Sequence, residues 1–537
     1  MTPEWTKPAA VIALLLLGSG LLCISVRAPD KEDFDARPLR AGASVKRTLG
    51  GGERHLYRVS IEPGDAFGVV FNPERNDLAF TLVDPLRSNR LQVDSRNGYH
   101  GTELLSVVAD IRGYHLLEVR APPGSAASYE LTVGKPRPAT RDDRLRAAAT
   151  SAFSRGELLF DVDGEKSAAW YHRALSLWEQ AGELERATAT RFRLGRVLQN
   201  QGEWEEAQEV YQTALAQARS RGDGLAEASL LDRIGRSHYE MGRLDAADRA
   251  YEQSRRLFRQ EGYGPGEADA LSDMGLVYRR RGDFEKGLKL GLEALDLYRT
   301  LKRPRDQALL LWNIGELYLG LGELRSALDA FEQAGEIGQA LDRPDLLAPS
   351  LAGQGTALTE LGDLSRASSL LERAVELSQQ FDRRWEVSGR IRLGDVYARA
   401  GRFQDARDQY EGALKVARDA RYRRGEAMAL GNLGHVLDRM HMEQTAIGHF
   451  DEARSILQEL GDPDGVAKVL KGRAEAALGL GDVEAARSSA EAGIRIVEDL
   501  RSPLPNAFSD RRELYDLYVE ILMRLHEKEP ARQLDRL

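Results

Sequence analysis

Residues 233–258 read RIGRSHYEMGRLDAADRAYEQSRRLF, and the pattern inside them decides the fold. Small and apolar positions recur at helical spacing on both sides of Gly242: Ile234, Gly235 and His238 before it, Ala247, Tyr251 and Leu257 after it. Gly242 stands where a residue free to adopt positive φ ends a helix cheaply, so the stretch predicts two helices joined by a tight turn. The arrangement returns along the chain. Gly195, Gly235, Gly275, Gly315 and Gly355 are spaced by 40 residues, Gly394 follows after 39, Gly434 after another 40, and Ala474 fills the next slot. Seven residues after each comes a second glycine (Gly202, Gly242, Gly282, Gly322, Gly362, Gly401, Gly481), and only His441 interrupts that series. Twelve after the first marker lie Ala207, Ala247, Gly287, Ala327, Ala367, Ala406, Ala446 and Ala486. Sixteen after it lie Tyr211, Tyr251, Gly291, Phe331, Leu371, Tyr410, Phe450 and Ala490. A fixed period with small and aromatic residues in fixed slots signals an array of stacked units rather than a single enzyme core.

The small slots let paired helices approach closely, and the ring sixteen residues on fills the space beyond. A bulky side chain at a small slot should overpack the pair and cost roughly 1–3 kcal/mol. Alanines at 214, 294, 334, 374, 413 and 453 complete the pattern nineteen residues after the marker. This order of residues resembles the tetratricopeptide repeat over about residues 150–500, in the longer-helix variety found in kinesin light chains. Tyr171 and Ala174, one period before Tyr211 and Ala214, predict a degenerate leading unit. The resemblance implies a mainly α fold, a right-handed tetratricopeptide-type α-solenoid of 40-residue helical hairpins with an extended concave surface.

Composition agrees with an array. At 537 residues the chain is too long for one hydrophobic core. Charged residues make up 30% with both signs abundant, and a net charge of −9 argues against nucleic-acid affinity, which needs a strongly basic face. Residues 9–26, AAVIALLLLGSGLLCISV, are nearly all apolar between Lys7 and Arg27, which predicts a signal peptide or membrane anchor over 1–28. Leu22 stands where a small residue would precede a lipidated Cys23. From this segment we expect an exported protein, periplasmic or extracytoplasmic, with a membrane tether through residues 9–26 in the anchored case. With no cysteine besides Cys23, the rest of the chain can form no internal disulfide.

Between residues 34 and 135 the periodicity changes to two. HLYRVSI, LAFTLVD, ELLSVVA, YHLLEVR and SYELTV read as short strands separated by Gly, Pro, Asn and Asp, and together they predict a small all-β sandwich. The pattern from Gly50–Gly52 through Tyr57, Pro63–Gly64, Asp77, Asp84–Pro85, Gly113–Tyr114 and Tyr129 resembles the bacterial pre-peptidase C-terminal family, whose domains are non-catalytic modules. Residues 136–147 read as a linker, 148–500 as the array (one degenerate and about eight full units), and 501–537 as a C-terminal helix and linker. The succession of parts, with a helix over Arg511–His526, resembles the front of bacterial proteins ending in a CHAT domain, a caspase-like relative. The sequence given ends at Leu537, where that part would begin, so the family's His–Cys dyad transfers to no position.

No phosphate-cradling Gly-Lys-Ser/Thr loop, His-Glu-x-x-His pair or Gly-x-Ser-x-Gly elbow occurs. His435, His441 and His449 are spaced by 6 and 8, which brings no three imidazoles onto one helical face, and Asp161, Asp163 and Gly164 lack the remaining calcium ligands. We therefore expect no catalytic, cofactor or metal residues. The candidate site is the inner face of the array, which should receive the residues around each marker glycine. Arg193, Arg196, Arg233, Arg236, Arg279 and Arg280 hold those slots in the first three full units; Glu316, Asp395, Asp438 and Glu475 hold them later. Asn313 and Asn432 occupy the slot from which related long-repeat arrays grip a peptide backbone, although Arg193, Arg233, Asp273, Gly353 and Arg392 interrupt the ladder. The expected function is a non-catalytic scaffold that recruits a protein or peptide, in particular an acidic or carboxylate-ended segment held by Arg forks. The alternative is the sensor part of a CHAT-type cysteine protease.

Overall fold

The computed structural model describes residues 36–73, 78–85, 90–94, 103–110, 112–121, 127–499 and 505–528. The chain falls into two compact units, Met1–Glu267 and Ala268–Leu537.

The first unit opens with ten strands: β1 (Arg37–Pro38), β2 (Ser44–Leu49), β3 (Arg54–Ile61), β4 (Asp65–Pro73), β5 (Ala79–Val83), β6 (Arg90–Asp94), β7 (Glu103–Val108), β8 (Gly113–Arg120), β9 (Ala127–Val133) and β10 (Arg137–Pro138). One sheet runs β1-β3-β8-β5-β6; the other runs β10-β4-β9-β2, with β7 also paired to β4. Alternate residues of both sheets, among them Tyr57, Val59, Ile61, Phe67, Val69, Phe71, Leu117 and Val119, meet in one core. Three polar side chains at that core pair with one another. The Tyr57 and Tyr129 hydroxyls lie 2.6 Å apart, and His55 Nδ1 lies 2.7 Å from the Tyr129 hydroxyl.

Helices α1 (Arg141–Leu159), α2 (Gly164–Gln180), α3 (Leu184–Gln201), α4 (Trp204–Arg221), α5 (Gly224–Glu240) and α6 (Leu244–Gln260) complete this unit, and α7 (Gly264–Arg281) begins in it. Helix α1 starts with a capping box, in which Thr140 accepts from the Asp143 amide and Asp143 accepts from the Thr140 amide. It lies against β6 and β7, which covers outer strands that would otherwise stay open to pairing. Asp163 accepts from the Lys166 amide at the start of α2, so the Asp161–Gly164 turn is a helix cap.

The second unit holds α8 (Phe284–Thr300), α9 (Pro304–Leu321), α10 (Leu324–Ala340), α11 (Pro344–Leu361), α12 (Leu364–Ser378), α13 (Arg383–Arg399), α14 (Phe403–Asp419), α15 (Arg423–Arg439), α16 (Glu443–Glu459), α17 (Pro463–Gly479), α18 (Val483–Asp499) and α19 (Pro505–Lys528). The odd helices α1, α3, α5, α9, α11, α13, α15 and α17 each pair with the next even one as a hairpin, α7 and α8 meet at Gly275 and Gly287, and α19 packs on α17 and α18 through Leu514, Leu517, Ile521 and Leu525.

At five of the marker glycines a ring occupies the place of a side chain, and at Gly355 the Leu371 side chain does so at 2.6 Å. A Cβ on Gly195 would lie 2.5 Å from the Tyr211 ring, one on Gly235 2.8 Å from Tyr251, one on Gly315 2.5 Å from Phe331, one on Gly394 2.5 Å from Tyr410, and one on Gly434 2.6 Å from Phe450. At Gly275 the opposing slot is Gly291, and the nearest atom is the Gly287 carbonyl oxygen at 3.4 Å. The leading hairpin has its own pair: a Cβ on Gly156 would come within 2.7 Å of the Tyr171 ring. The second glycines, Gly202, Gly242, Gly282, Gly322, Gly362, Gly401 and Gly481, all take positive φ, and His441 adopts the same left-handed conformation at φ 58. The array thus keeps the turn where it loses the glycine.

One expectation is corrected here. Among the described residues no helix is long and apolar enough to cross a membrane, and residues 9–26, on which export and anchoring rested, lie outside the described residues. The exported or membrane-anchored location is withdrawn.

Candidate functional site

In each unit the first helices of successive hairpins touch one another: α3 meets α5 in the first unit, and α9, α11, α13, α15 and α17 meet in turn in the second. They form the inner layer of the stack, so residues they direct away from their second helices face a common groove.

In the first unit this layer carries a cluster of arginines. Arg193 is buried, and its Nε lies 3.0 Å from Glu157 on α1, a carboxylate that the Tyr171 hydroxyl also contacts. Arg233 is half-buried beside Asp232, with Nη2 2.8 Å from the carboxylate. Arg196 lies between these charges. Its guanidinium stacks 4.9 Å over the Phe160 ring and meets no carboxylate among the described residues. Burial, together with the neighbouring charges of Arg193 and Arg233, pushes it down to about 10. Arg236 is exposed, 3.4 Å from Glu240 one turn on. Gln199 ties the layer together. It donates to the Arg233 carbonyl (2.9 Å) and to Ser237 (3.0 Å), and accepts from the Tyr211 hydroxyl (3.1 Å).

The second unit carries both signs. Arg279 is half-buried, 4.0 Å from Glu316, and Arg280 is exposed. Asn313 is half-buried, and among the described residues its amide meets no hydrogen-bond partner. Asn432 spends its amide within the chain, donating to Asp395 at 3.2 Å, while the Tyr410 hydroxyl donates to the same oxygen at 2.6 Å. Burial pushes the carboxyls of Asp395, Asp438 and Glu475 upward; Glu443 adds to the effect on Asp438, and Asp438 and Glu513 add to that on Glu475. His435 packs edge-on against Phe450 with centroids 5.0 Å apart. Trp312 donates to the Pro349 carbonyl at 3.2 Å and meets the Trp385 ring edge-on at 5.8 Å, which makes it a packing residue.

The structure therefore gathers Arg193, Arg196 and Arg233 at one place in the first unit, with Arg236 at its open side. It keeps Arg279 beside Glu316 and uses Asn432 as an internal strut. Sequence reasoning did not reach Glu157 and Phe160, which frame the arginines. They belong to the leading hairpin, whose marker glycine sits 39 rather than 40 residues before Gly195.

These features define a protein of stacked helical hairpins whose first helices carry clustered arginines in the first unit and, in the second, arginines together with buried carboxyls. The tetratricopeptide repeat family matches residues 185–260, 266–340, 306–380, 346–419 and 387–459, together half of the chain, and the chain belongs to that family. No curated protein matches the sequence. Among solved structures it is similar to the apo form of the quorum sensor NprR from B. thuringiensis, at 13% identity over 59% of this chain and 89% of that one, with a TM-score of 0.47. It is also similar to a Rap protein complexed with competence and sporulation factor, at 16% identity over 66% and 98% with a TM-score of 0.45. A signal transduction ATPase with a tetratricopeptide repeat sensor from Pyrococcus horikoshii shares 16% identity over 65% of this chain and 53% of that one, with a TM-score of 0.45.

Proposed function

We propose that this protein is a non-catalytic scaffold whose first unit holds a carboxylate-bearing protein or peptide segment against its inner helices. The observation that carries the reading is Arg196, desolvated between two other guanidiniums and stacked on Phe160 without a carboxylate of its own. A cation kept in that setting weakens the free protein, and an incoming carboxylate repays it through charge-assisted hydrogen bonds. Arg236 at the open side adds a second contact, and Gln199 holds α3 and α5 in fixed register behind both. The same groove would serve the sensor half of a CHAT-type protease, since either role begins with capture of a segment by the inner face.

The test is an array of immobilised peptides, acidic, basic and neutral, with free or amidated ends, probed with the full chain and with Arg196→Gln. The proposal predicts retention on acidic or free-carboxylate peptides, lost in the variant. Equal retention on acidic and neutral peptides, or retention unchanged in the variant, rejects it.

A further inference from the structure

A second site lies in the first unit, away from the groove, where the β-sandwich meets the first helices. A cavity of about 270 Å³ opens between β4 and β7 on one side and the starts of α1 and α3 on the other. Its floor includes Gly68 and Ser106, which are paired across β4 and β7. Glycine brings no side chain to that floor, and among the described residues the Ser106 hydroxyl meets no partner.

The rim is strongly cationic. Lys135 and Arg137 come from the stretch leaving the sandwich, Arg146 from α1 and Arg186 from α3. Against these four cations stand two carboxylates, Asp143 and Glu183, and both are engaged. Arg137 grips Asp143 with both Nη atoms, at 2.5 and 2.8 Å, and Arg146 Nε lies 2.5 Å from Glu183. Arg186 stacks 4.7 Å over the Trp178 ring. Lys135 is exposed and among the described residues has no carboxylate partner. Each guanidinium offers five N–H donors in a fixed fork, so the engaged arginines keep donors to spare. The cavity lining therefore carries four cations and two carboxylates, with the Ser106 hydroxyl on its floor and room for several water-sized groups.

We propose that this cavity binds a small dianionic oxyanion, a phosphate monoester or a dicarboxylate, with Lys135, Arg137, Arg146 and Arg186 around the charge and Ser106 donating from the floor. Two of those cations belong to the stretch that leaves the sandwich and two to the helices, so an occupant is held from both sides at once. Bound anion thereby clamps the sandwich onto the leading hairpins. The clamp is independent of the arginine groove, because no residue is shared between the two sites.

The test is a thermal-shift and calorimetric titration of the full chain with glycerol phosphate, inorganic phosphate and succinate, each against potassium chloride at matched ionic strength. The proposal predicts a saturable rise in unfolding temperature with at least one dianion and none with chloride. Saturation by glycerol phosphate or phosphate assigns the phosphoryl class; saturation by succinate alone assigns the dicarboxylate class. Lys135→Glu reverses a charge that supports nothing else, so the fold stays intact and the affinity should fall roughly tenfold or more. Ser106→Phe, which fills the floor, should abolish saturation. No saturation with any dianion up to roughly 10 mM, the weak end of specific binding, overturns the proposal. So does saturable binding that Lys135→Glu leaves unchanged.

Discussion

Replacing Gly315 and Gly275 by alanine, one at a time, should move stability in opposite directions, although both occupy the same slot of the same repeat. At Gly315 the new Cβ would sit 2.5 Å from the Phe331 ring, at least 1 Å inside ordinary contact for carbon atoms, which is about 3.5–4.0 Å. The ring has no room to retreat. It is fully buried, and a Cβ on Gly353 from the next first helix would meet the same ring, also at 2.5 Å. Overpacking of this kind costs roughly 1–3 kcal/mol, offset by about 0.8–1 kcal/mol of helix propensity gained on replacing glycine. The net for Gly315→Ala is a loss of about 0–2 kcal/mol. At Gly275 the Cβ meets only the Gly287 carbonyl at 3.4 Å and the Gly291 amide nitrogen at 3.9 Å. The propensity gain then stands alone, about 0.5–1 kcal/mol. Thermal unfolding of the full chain followed by helical circular dichroism separates the two. Gly275→Ala should melt about 1–3 °C higher than the parent and Gly315→Ala several degrees lower. Two variants shifted equally and in the same direction would refute the claim that the opposing ring, rather than the turn or the helix, requires the marker glycine.

His441→Gly should stabilise the protein by about 1 kcal/mol, because a side chain at φ 58 carries a left-handed penalty that glycine escapes; urea unfolding midpoints measure it. Asp143→Ala removes both bonds from Arg137 and one half of the capping box of α1, and should cost about 2 kcal/mol in the same assay. Glu475 titrates above its ordinary range in the folded chain because of burial and the nearby Asp438 and Glu513 carboxylates. The native state therefore binds this proton more tightly than the unfolded one, and stability falls as pH rises from the ordinary glutamate range through the raised value. Glu475→Gln should melt higher than the parent at pH 7, and the gap should close near pH 4; a gap independent of pH contradicts the assignment.

Much of this architecture is legible in sequence because the repeat couples positions that touch. Where the ring slot is Gly291, the marker Gly275 is uncrowded; where it is Ala490, the marker has itself become Ala474. The strand β4 was harder to see. Its residues AFGVVF form a nearly continuous apolar run broken by Gly68, since it lies inside its sheet with neighbours on both edges and shows no clean alternation. Strand β2, SVKRTL, is mostly exposed and carries Lys46 and Arg47 on a sheet edge, so it shows no apolar pattern either. At the groove, slot positions place Arg193, Arg196 and Arg233 together, but pairing is beyond their reach. Arg193 meets Glu157, 36 residues away in an out-of-register hairpin, and that contact is what leaves Arg196 as the arginine without a counter-ion.

The measurement that bears most directly on the scaffold account is the fluorescence anisotropy of a labelled hexaglutamate peptide with a free carboxyl end, titrated with the full chain and with Arg196→Gln at low and high salt. The account predicts binding that weakens with salt and falls tenfold or more in the variant, as expected for loss of a charge-assisted bond of about 1.5–3 kcal/mol. It also predicts that the unliganded variant melts higher than the parent, because it no longer holds a desolvated cation close to Arg193 and Arg233. Binding by Arg196→Gln equal to that of the parent, with the same salt dependence, would contradict the account.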